Sequence, residues 1–391
     1  MIAKSCSLEE IRRLLFGKKI LCFGAGLLGG LWYNELIASG HNVVGFIDND
    51  IKKQDADFLG LPVYSAKRFG EIKSDEMCVI VTVANSDSIL EIVRLLEEKY
   101  DMRNGVNLFV FNLPSESCVS DADYLKFLFK NKMGRTLNLD APKTFNEKLQ
   151  WLKLYDRKPV YTKMSDKYET RGIISKIIGD DYLVSLLGVW DKADDIDFES
   201  LPSQFVLKCN HDSGSAVFCR NKNNFDIINA REKLNECLGR NYYWHGREWA
   251  YKDIKPRIIC EEYLGDDPID YKLMCFNGKV RCSFTCSDRK TGLKVTFYDA
   301  SWKRMPFERH YPSSKIDIPK PKRYDEMVVI AETLSEKIPF LRVDFYLVGE
   351  RLILGELTFY PGNGHEEFTP DEYDYMLGEW LHLPFESKKG V

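Results

Sequence analysis

Two acidic residues within an apolar hairpin constrain the fold of this chain more than any other feature. Residues 341–347 and 352–358 are predicted strands, with a turn at Gly349 between them. Asp344 and Glu356 lie inside these apolar strands. Because a carboxylate in such surroundings costs free energy unless a cation pairs with it, the hairpin predicts a cation site.

A divalent metal ion is the cation that suits this hairpin. Carboxylates and the Thr358 hydroxyl are oxygen ligands of the kind that Mg2+ binds. Arg342 lies two residues before Asp344, so both side chains point to the same face of the sheet. The turn at 361–364 follows, and its backbone N–H groups suit an anionic substrate. Solvated edge residues or ion-pair partners are the alternative interpretation of the two acids.

The same hairpin resembles the C-terminal metal-binding end of the ATP-grasp ligases. The segment RVDF corresponds to that superfamily's Arg-x-Asp, and GELTFYPG corresponds to its Glu-x-Asn and Pro-Gly turn. The resemblance implies that Asp344, Glu356 and Thr358 hold Mg2+ and that Arg342 acts in catalysis. Thr358 stands where the superfamily usually has Asn, and a hydroxyl is a weaker ligand than an amide oxygen.

Composition excludes several classes of function. The 391 residues are enough for two domains, and 44% hydrophobic with 29% charged residues is typical of a globular protein with ample core. A net charge of -4 gives no support for nucleic-acid binding. No apolar run reaches the length of a membrane span and no signal-peptide pattern is present, so we expect a cytoplasmic protein. The 11 cysteines lie mostly singly in apolar runs, which is typical of reduced, buried thiols.

The first part of the chain has the order strand, glycine turn, helix, strand, acid. A strand at 19–23 leads into Gly24 and Gly26, and the next strand ends at Asp48. In a Rossmann unit such glycines let a phosphate approach a helix N-terminus, and the acid meets a ribose. The segment resembles small N-terminal domains of bacterial sugar-modifying enzymes, which implies a site for a nucleotide-linked or phosphorylated sugar at these three residues. A structural docking domain is the alternative.

Hydrophobic patterns predict the remaining elements that matter here. Ser7 with Glu10 predicts a capping box at the start of a helix. The predicted helices cover residues 7–16, 31–39, 88–99, 121–132 and 144–156, and the further predicted strands cover 43–47, 79–83 and 106–111. We therefore predict a half-Rossmann parallel-sheet domain over residues 1–115, followed by a second domain over 116–391.

The second domain resembles the TupA-like ATP-grasp family of bacterial surface-polysaccharide clusters. The segments that carry the resemblance are TFNEKLQWLKLYD, SDKYETRG and FVLKCNHDSG, and together with the hairpin they span residues 124–384. The predicted fold class is therefore α/β and α+β, with an N-terminal half-Rossmann domain followed by an ATP-grasp fold.

Lys208 is the strongest candidate outside the hairpin. It ends an apolar run, and the loop 210–215 with Gly214 follows directly, as expected of a segment that covers phosphates. An ordinary surface lysine before a turn is the alternative. The resemblance implies that Lys208 binds the α- and β-phosphates of ATP, that Gly214 and Ser215 belong to the covering loop, and that His211 contacts the transferring phosphate.

The resemblance also implies the rest of the nucleotide site. Its members are an earlier phosphate-binding pair (Lys167, Arg171), an adenine hinge (Glu261 or Glu262, with the backbone of Tyr263 and Leu264), a ribose-binding acid (Asp270) and a lysine directed to the phosphates (Lys272).

The implied function is an ADP-forming ligase that uses ATP and Mg2+. Through an acylphosphate it would join a glycuronic acid, as sugar nucleotide or glycan, to an amino acid or amino alcohol in capsule or other surface-polysaccharide biosynthesis. The implied partners are these substrates, a sugar nucleotide, and a peripheral contact with the polysaccharide assembly machinery. The aromatic segment 241–249, with Arg247, suits a sugar platform or a core. A glycosyltransferase and a non-catalytic ATP- or sugar-binding assembly protein are the alternatives.

Overall fold

The chain divides into two compact units. The computed structural model describes residues 8–83, 86–110, 120–266, 268–288 and 292–384, so the predicted cap at Ser7 lies outside the described residues. The units are Met1–Gly134 and Arg135–Val391. The predicted boundary followed residue 115, whereas this division assigns the helix at Asp121–Met133 to the first unit.

The first unit is a parallel sheet with helices. Its elements are α1 (Leu8–Leu15), β1 (Lys19–Phe23), α2 (Leu27–Ala38), β2 (Asn42–Ile47), β3 (Asp57–Phe58), β4 (Leu61–Tyr64), α3 (Ala66–Ile72), β5 (Met77–Val81), α4 (Ser86–Tyr100), β6 (Leu108–Phe109) and α5 (Asp121–Met133). The strand order is β3-β4-β2-β1-β5-β6, and only β3 runs antiparallel to its neighbour. The parallel strands follow the order of a Rossmann-type sheet.

Helix α2 begins at Leu27, whereas the sequence prediction began it at residue 31. Glycines at 29 and 30 lower helix propensity, which moved the predicted start. The structure uses Gly29 for close packing, because a Cβ atom there would lie 1.9 Å from the Gly24 carbonyl oxygen. The helix therefore starts where the glycine turn lets it approach the sheet.

The second unit contains two antiparallel sheets and a short ladder. Its elements are α6 (Phe145–Tyr155), α7 (Pro159–Ser165), α8 (Thr170–Ile178), β7 (Leu186–Trp190), β8 (Phe205–Cys209), β9 (Val217–Cys219), α9 (Ile227–Leu238), α10 (Tyr243–Gly246), β10 (Ile258–Glu262), β11 (Asp270–Phe276), β12 (Lys279–Ser287), β13 (Lys294–Asp299), β14 (Glu308–Arg309), α11 (Tyr324–Leu334), β15 (Phe340–Val348), β16 (Arg351–Thr358), β17 (Phe368–Thr369) and α12 (Glu372–Trp380). The sheets are β7-β10-β8-β9, β13-β12-β11-β15-β16 and β14-β17. The predicted α/β and α+β fold class is confirmed.

Helix α6 connects the start of this unit to its main core. The Thr144 hydroxyl accepts the Glu147 N–H, and the Glu147 carboxylate accepts the Thr144 N–H, which forms a capping box. The Phe145 ring then packs at 5.6 Å from Phe276 and 4.9 Å from Phe340, measured between centroids. The predicted helix at 144–156 is confirmed, with Thr144 and Asp156 as its caps.

The predicted hairpin is strands β15 and β16. Asp344 pairs with Glu356, and Phe345 pairs with Leu354, so Gly355 forms a bulge. A Cβ atom on Gly355 would lie 2.5 Å from the Tyr346 ring, which explains a glycine inside the strand.

The described cysteines agree with the predicted reduced, buried thiols. All nine cysteines in the described ranges carry free thiols. Within the same ranges, no helix has both the length and the apolarity needed to cross a bilayer.

Replacing Gly29 with Ala tests the close packing of α2 against the glycine turn. Since the new methyl group would lie 1.9 Å from the Gly24 carbonyl oxygen, we expect Gly29→Ala to lower the free energy of unfolding by about 2 kcal/mol or more. Gly26→Ala is the matched control, because no atom lies within 4 Å of its Cβ position. Denaturant unfolding compares the two, and equal stabilities would contradict this packing role.

Candidate active site

One row of side chains crosses the five-stranded sheet and carries the predicted metal ligands. Strand register places Phe284 opposite Lys272, Lys272 opposite Asp344, and Asp344 opposite Glu356. Directly opposite residues share a face of an antiparallel sheet. The structure therefore brings together the two acids of the hairpin and a lysine from β11.

Asp344 is a buried carboxylate held by two cations. Its two oxygens each accept a 2.7 Å hydrogen bond from the Arg342 guanidinium, and Lys272 also donates to it. Only 1% of the residue is exposed. Burial acts to raise the pKa of Asp344, but Arg342 and Lys272 hold that pKa below its usual value. Asp344 is therefore an anion in the folded protein.

Arg342 connects the two acids. Its second guanidinium contact is to Glu356, with 3.5 Å between Nη2 and Oε2. Burial acts to lower the pKa of Arg342, while Asp344, Glu356 and Glu366 raise it above its ordinary value. This residue is a permanent cation among carboxylates, as the sequence pattern predicted.

The oxygen ligands around Asp344 fit Mg2+. Arg342 pairs with Thr358 across the hairpin, and the buried Thr358 hydroxyl has no hydrogen-bond partner among the described residues. No cluster of three or more His, Cys, Asp and Glu side chains in the described ranges suits a metal ion. Two carboxylates and a hydroxyl nevertheless match Mg2+, which takes one or two protein carboxylates and completes its shell with phosphates and water.

The four-stranded sheet supplies a second group of charges. Lys208 on β8 contacts Glu261 on β10, with 2.5 Å between Nζ and Oε2. Arg171 on α8 approaches the other oxygen of Glu261 at 3.7 Å and donates a 2.7 Å hydrogen bond to the Val184 carbonyl. Lys208 and Arg171, predicted as phosphate-binding residues, are thus brought to one carboxylate.

Lys167 links the loop after β8 to the hairpin. Its ammonium donates a 2.6 Å hydrogen bond to the Asp212 carbonyl and lies 3.7 Å from Glu356 Oε1. The predicted nucleotide-binding group and the predicted metal group are therefore parts of one site.

A cavity lies between these groups. Its charged lining is formed by Lys167, Arg171, Lys208, Glu261 and Glu356. Its apolar lining comes from α8, from β16 and from the segments that flank β7 and β10, and includes Ile174, Leu183, Val184, Leu264, Ile353 and Leu354. A cavity lined by apolar side chains and a few charges suits a flat base that continues into an anionic chain.

Of the four residues predicted to form the adenine hinge, two line this cavity and two do not. Glu261 and Leu264 line the cavity. Glu262 instead accepts 3.0 Å and 2.8 Å hydrogen bonds from Arg351 and from the Ser185 hydroxyl, and these bonds lower its pKa. Tyr263 donates to Asp266. Of the two acids proposed for the hinge, the structure therefore places Glu261 in the cavity.

Asp270 and Lys272 share one face of β11. Asp270 lies opposite Tyr346 in the register and is 3% exposed. Its Oδ2 is 3.6 Å from the Lys272 ammonium, which also reaches Asp344. Burial and the Asp270 carboxylate both raise the pKa of Tyr346. The predicted ribose acid is thus part of the charge network of the hairpin.

His211 and Ser215 hold their own loop together. The His211 ring is 2% exposed and its Nε2 lies 3.0 Å from the Arg240 carbonyl, while burial lowers its pKa. The Ser215 hydroxyl accepts the Cys209 N–H at 2.9 Å and donates to Asp212. Neither side chain is brought into contact with the hairpin acids. Gly214 has φ +88°, which explains the glycine there.

Lys153 on α6 was missed by the sequence analysis. Its buried ammonium donates hydrogen bonds of 2.9 Å to Gln150 Oε1, 3.0 Å to the Gly246 carbonyl and 2.8 Å to the Asn363 carbonyl. Burial lowers the pKa of Lys153 to about 7, against the opposing charge of Glu248. The lysine fixes the turn that follows β16. Gln150 and Lys153 lie three residues apart on a largely buried helix, and this pattern could have indicated a buried polar pair.

The aromatic segment 241–249 is packed rather than open. Arg247 is 1% exposed, and its guanidinium lies 4.3 Å from the Trp244 ring centroid and 5.4 Å from that of Tyr243. A Cβ atom on Gly246 would lie 1.9 Å from the Asn363 side chain. The burial of Tyr243, Gly246 and Arg247 favours the core interpretation of this segment, and Gly246 packs against the 361–364 turn.

In the first unit, Asp48 braces the glycine turn. Its Oδ2 accepts the Ala25 N–H at 2.8 Å, and its Oδ1 accepts the Asp50 N–H at 2.9 Å. Lys53 lies 3.1 Å from Oδ2. Gly24 has φ +125° and packs against the Thr82 carbonyl. The structure thus brings Gly24 and Asp48 together, and a sugar-nucleotide site there, with Gly26, stays a prediction.

Comparisons with known proteins identify one family. The sequence model of the family described as TupA-like ATPgrasp matches residues 147–382. No curated protein matches the chain.

Three solved enzyme structures show remote likeness. L-amino acid ligase from Bacillus licheniformis is 13% identical with a TM-score of 0.36, covering 91% of this chain and 71% of its own. D-alanine–D-alanine ligase from Bacillus anthracis is 13% identical with a TM-score of 0.29, covering 88% of each chain. N5-carboxyaminoimidazole synthase from Aspergillus clavatus is 10% identical with a TM-score of 0.30, covering 88% and 70%. The family match alone therefore carries the assignment.

Replacing Lys208 tests the phosphate-binding role of the charged cavity. Because Lys208→Met removes a cation and leaves Glu261 repelling an anion, we expect the affinity for Mg–AMPPNP to fall at least ten-fold, about 1.4 kcal/mol. Lys255→Met is the matched control, since that lysine forms an exposed ion pair with Asp191. Isothermal titration calorimetry measures both, and an unchanged affinity in Lys208→Met would move the phosphate site elsewhere.

Proposed function

The chain belongs to the TupA-like ATP-grasp family, within the ATP-grasp carboxylate–amine ligase superfamily, and from that premise we propose that it is an ADP-forming amide ligase. The observation that carries the proposal is the row in which Asp344 faces Glu356 beside Arg342 and Lys272. Glu356, the last residue of this row, lines the same cavity as Lys208. Lys167 also lines that cavity and approaches Glu356.

Charge explains why a ligase of this kind needs such a row. A carboxylate that attacks the γ-phosphate of ATP is one anion approaching another. Arg342, Lys272, Lys167 and Lys208 place four cations along the cavity and the hairpin. In the proposed reaction these cations exchange their present carboxylate partners for phosphate oxygens, which offsets the repulsion and aligns the reacting groups.

Mg2+ has a defined place in this proposal. Asp344, Glu356 and Thr358 would hold it, since their oxygens match its preferences and lie together at the end of the hairpin. When bound, Mg2+ neutralises charge on the transferring phosphate. Before ATP binds, Arg342 and Lys272 keep Asp344 ionised and hold its oxygens in place by hydrogen bonds.

The proposed chemistry has two steps. An oxygen of the acid substrate bonds to the γ-phosphorus as the bond to ADP breaks, giving an acylphosphate. The amine nitrogen then bonds to the acyl carbon, phosphate leaves, and the nitrogen loses a proton. Lys153 fixes the turn at 361–364, of which Pro361 and Gly364 are buried, and in this proposal the turn shields one side of the acylphosphate from water.

The substrates we propose are a glycuronic acid and an amino acid or amino alcohol, in the cytoplasmic steps of surface-polysaccharide biosynthesis. The acid is carried as a sugar nucleotide or within a glycan, and the sugar-nucleotide role of Gly24, Gly26 and Asp48 belongs to this proposal. Family membership and the cations of the site, which suit an anionic substrate, support it. Release of a nucleotide from a sugar donor without ATP turnover would instead favour a glycosyltransferase.

The metal-binding role of the hairpin acids is tested by neutral isosteres. Asp344→Asn and Glu356→Gln each remove one anionic oxygen ligand without changing core volume, so we expect turnover to fall by about 10²-fold or more. Circular dichroism checks that the fold is retained. Glu326→Gln, at a half-buried acid of α11 that pairs with Arg323 and Tyr182 away from the hairpin acids, is the matched control and should keep wild-type turnover. Near-wild-type rates in both hairpin variants would refute the assignment.

The ligase activity itself is tested by a crossed panel. Wild-type protein with Mg–ATP is offered UDP-uronic acids together with amino acids and amino alcohols. We expect ADP and phosphate only when both partners are present, with an amide of the matching mass by mass spectrometry. Bound ATP with no turnover across sugar-nucleotide and glycan acceptors would favour the non-catalytic alternative.

A further inference from the structure

Arg309 is a buried arginine that the proposed mechanism does not use. It lies against Phe284, at the end of the row of side chains that runs through Lys272 to Asp344 and Glu356. Arg309 on β14 is 5% exposed, and its guanidinium carbon is 4.7 Å from the Phe284 ring centroid and 5.3 Å from that of Phe297. Its Nη1 has no hydrogen-bond partner among the described residues. A buried donor without an acceptor costs about 1–3 kcal/mol, so a structural role alone leaves this guanidinium unexplained.

The position of Arg309 is set by the strand register. Phe297 pairs with Phe284, and Phe284 begins the row that continues through Lys272 to Asp344. Phe284 is thus two strands from Asp344, which corresponds to about 10 Å at the usual strand spacing. A group bound at Arg309 would lie on the same face of the sheet as the predicted metal ligands, on the side away from β16.

Glu366 is the one charged partner that Arg309 has within the described part of the chain. Its Oε2 lies 3.0 Å from Arg309 Nε, and the alignment does not form a hydrogen bond. The same carboxylate contributes to the charge around Arg342, and it covers Gly362, where a Cβ atom would meet it at 2.1 Å. Glu366 is 23% exposed at its side chain, against 6% for Arg309. A carboxylate from solvent can therefore replace the one that the protein itself provides.

We propose that Arg309 binds the carboxylate of the acid substrate, and that Glu366 occupies this subsite until the substrate arrives. The planar fork of a guanidinium matches a carboxylate through two parallel hydrogen bonds, which the poorly aligned Glu366 does not supply. Arg342 lies against the same Phe284 ring, 6.0 Å from its centroid. The acid is thus held between two arginines beside Asp344, where its oxygen meets the γ-phosphate. This inference rests on the proposed ligase function.

The first test compares a charged probe with its neutral counterpart. UDP-glucuronic acid and UDP-glucose are titrated by calorimetry into protein saturated with Mg–AMPPNP. We expect the wild type to prefer the acid, and Arg309→Gln to lose at least ten-fold in affinity for the acid only. Arg309→Lys should recover part of that loss. Equal binding of the two probes by the wild type, or an unchanged preference in Arg309→Gln, would overturn the proposal.

The second test has the opposite sign and does not depend on how well Arg309→Gln folds. Glu366→Gln removes the competing carboxylate, so we expect the affinity for UDP-glucuronic acid to rise three-fold or more. If the ion pair were only structural, Glu366→Gln would weaken binding as Arg309→Gln does, and that result would overturn the proposal. Glu326→Gln should leave the affinity for both probes unchanged.

Failure of this subsite is distinguishable from failure of the ligase function. Arg309-dependent binding of the acid without ADP formation against any amine would reject the ligase and retain the subsite. ADP formation that requires both substrates, with unchanged Michaelis constants for the acid in Arg309→Gln and Glu366→Gln, would retain the ligase and reject the subsite.

Discussion

The bidentate pair between Arg342 and Asp344 is the interaction on which the rest of the site depends. A carboxylate with 1% exposure is retained as an anion only where cations compensate its lost hydration, and Arg342 with Lys272 does this. The position of Asp344 also determines where the second acid lies. Because the bulge at Gly355 preserves the pairing of Asp344 with Glu356, the second acid is held on the same face.

The site combines charged side chains from separate elements of the second unit. Before any ligand binds, these cations have carboxylate partners within the protein. Lys208 has Glu261, Lys167 approaches Glu356, and Arg309 approaches Glu366. A polyanionic substrate with its metal ion can replace these internal partners, so that each cation still has an anionic partner. The protein therefore keeps its cations in position before the ligand arrives, which limits reorganisation during the reaction.

The parts of this arrangement that were predictable have local signals. Acids in an apolar hairpin and a lysine before a glycine loop are visible within a few residues, and the structure brings Asp344, Glu356 and Lys208 to one site. Lys153 and Arg309 were not predicted, since Asn363 lies 210 residues from Lys153 and Glu366 lies far from Arg309 in the chain, and only tertiary packing joins each pair. The start of α2 was misplaced because helix propensity carries no information about the close approach to Gly24.

Oxygen transfer from the acid substrate is the most direct test of the central claim. With the acid labelled by 18O in its carboxylate, an acylphosphate route transfers one labelled oxygen to the inorganic phosphate when the amine displaces it. We predict one 18O per phosphate released, measured by mass spectrometry, with unlabelled ADP. Label in AMP, or unlabelled phosphate accompanying amide formation, would contradict the account.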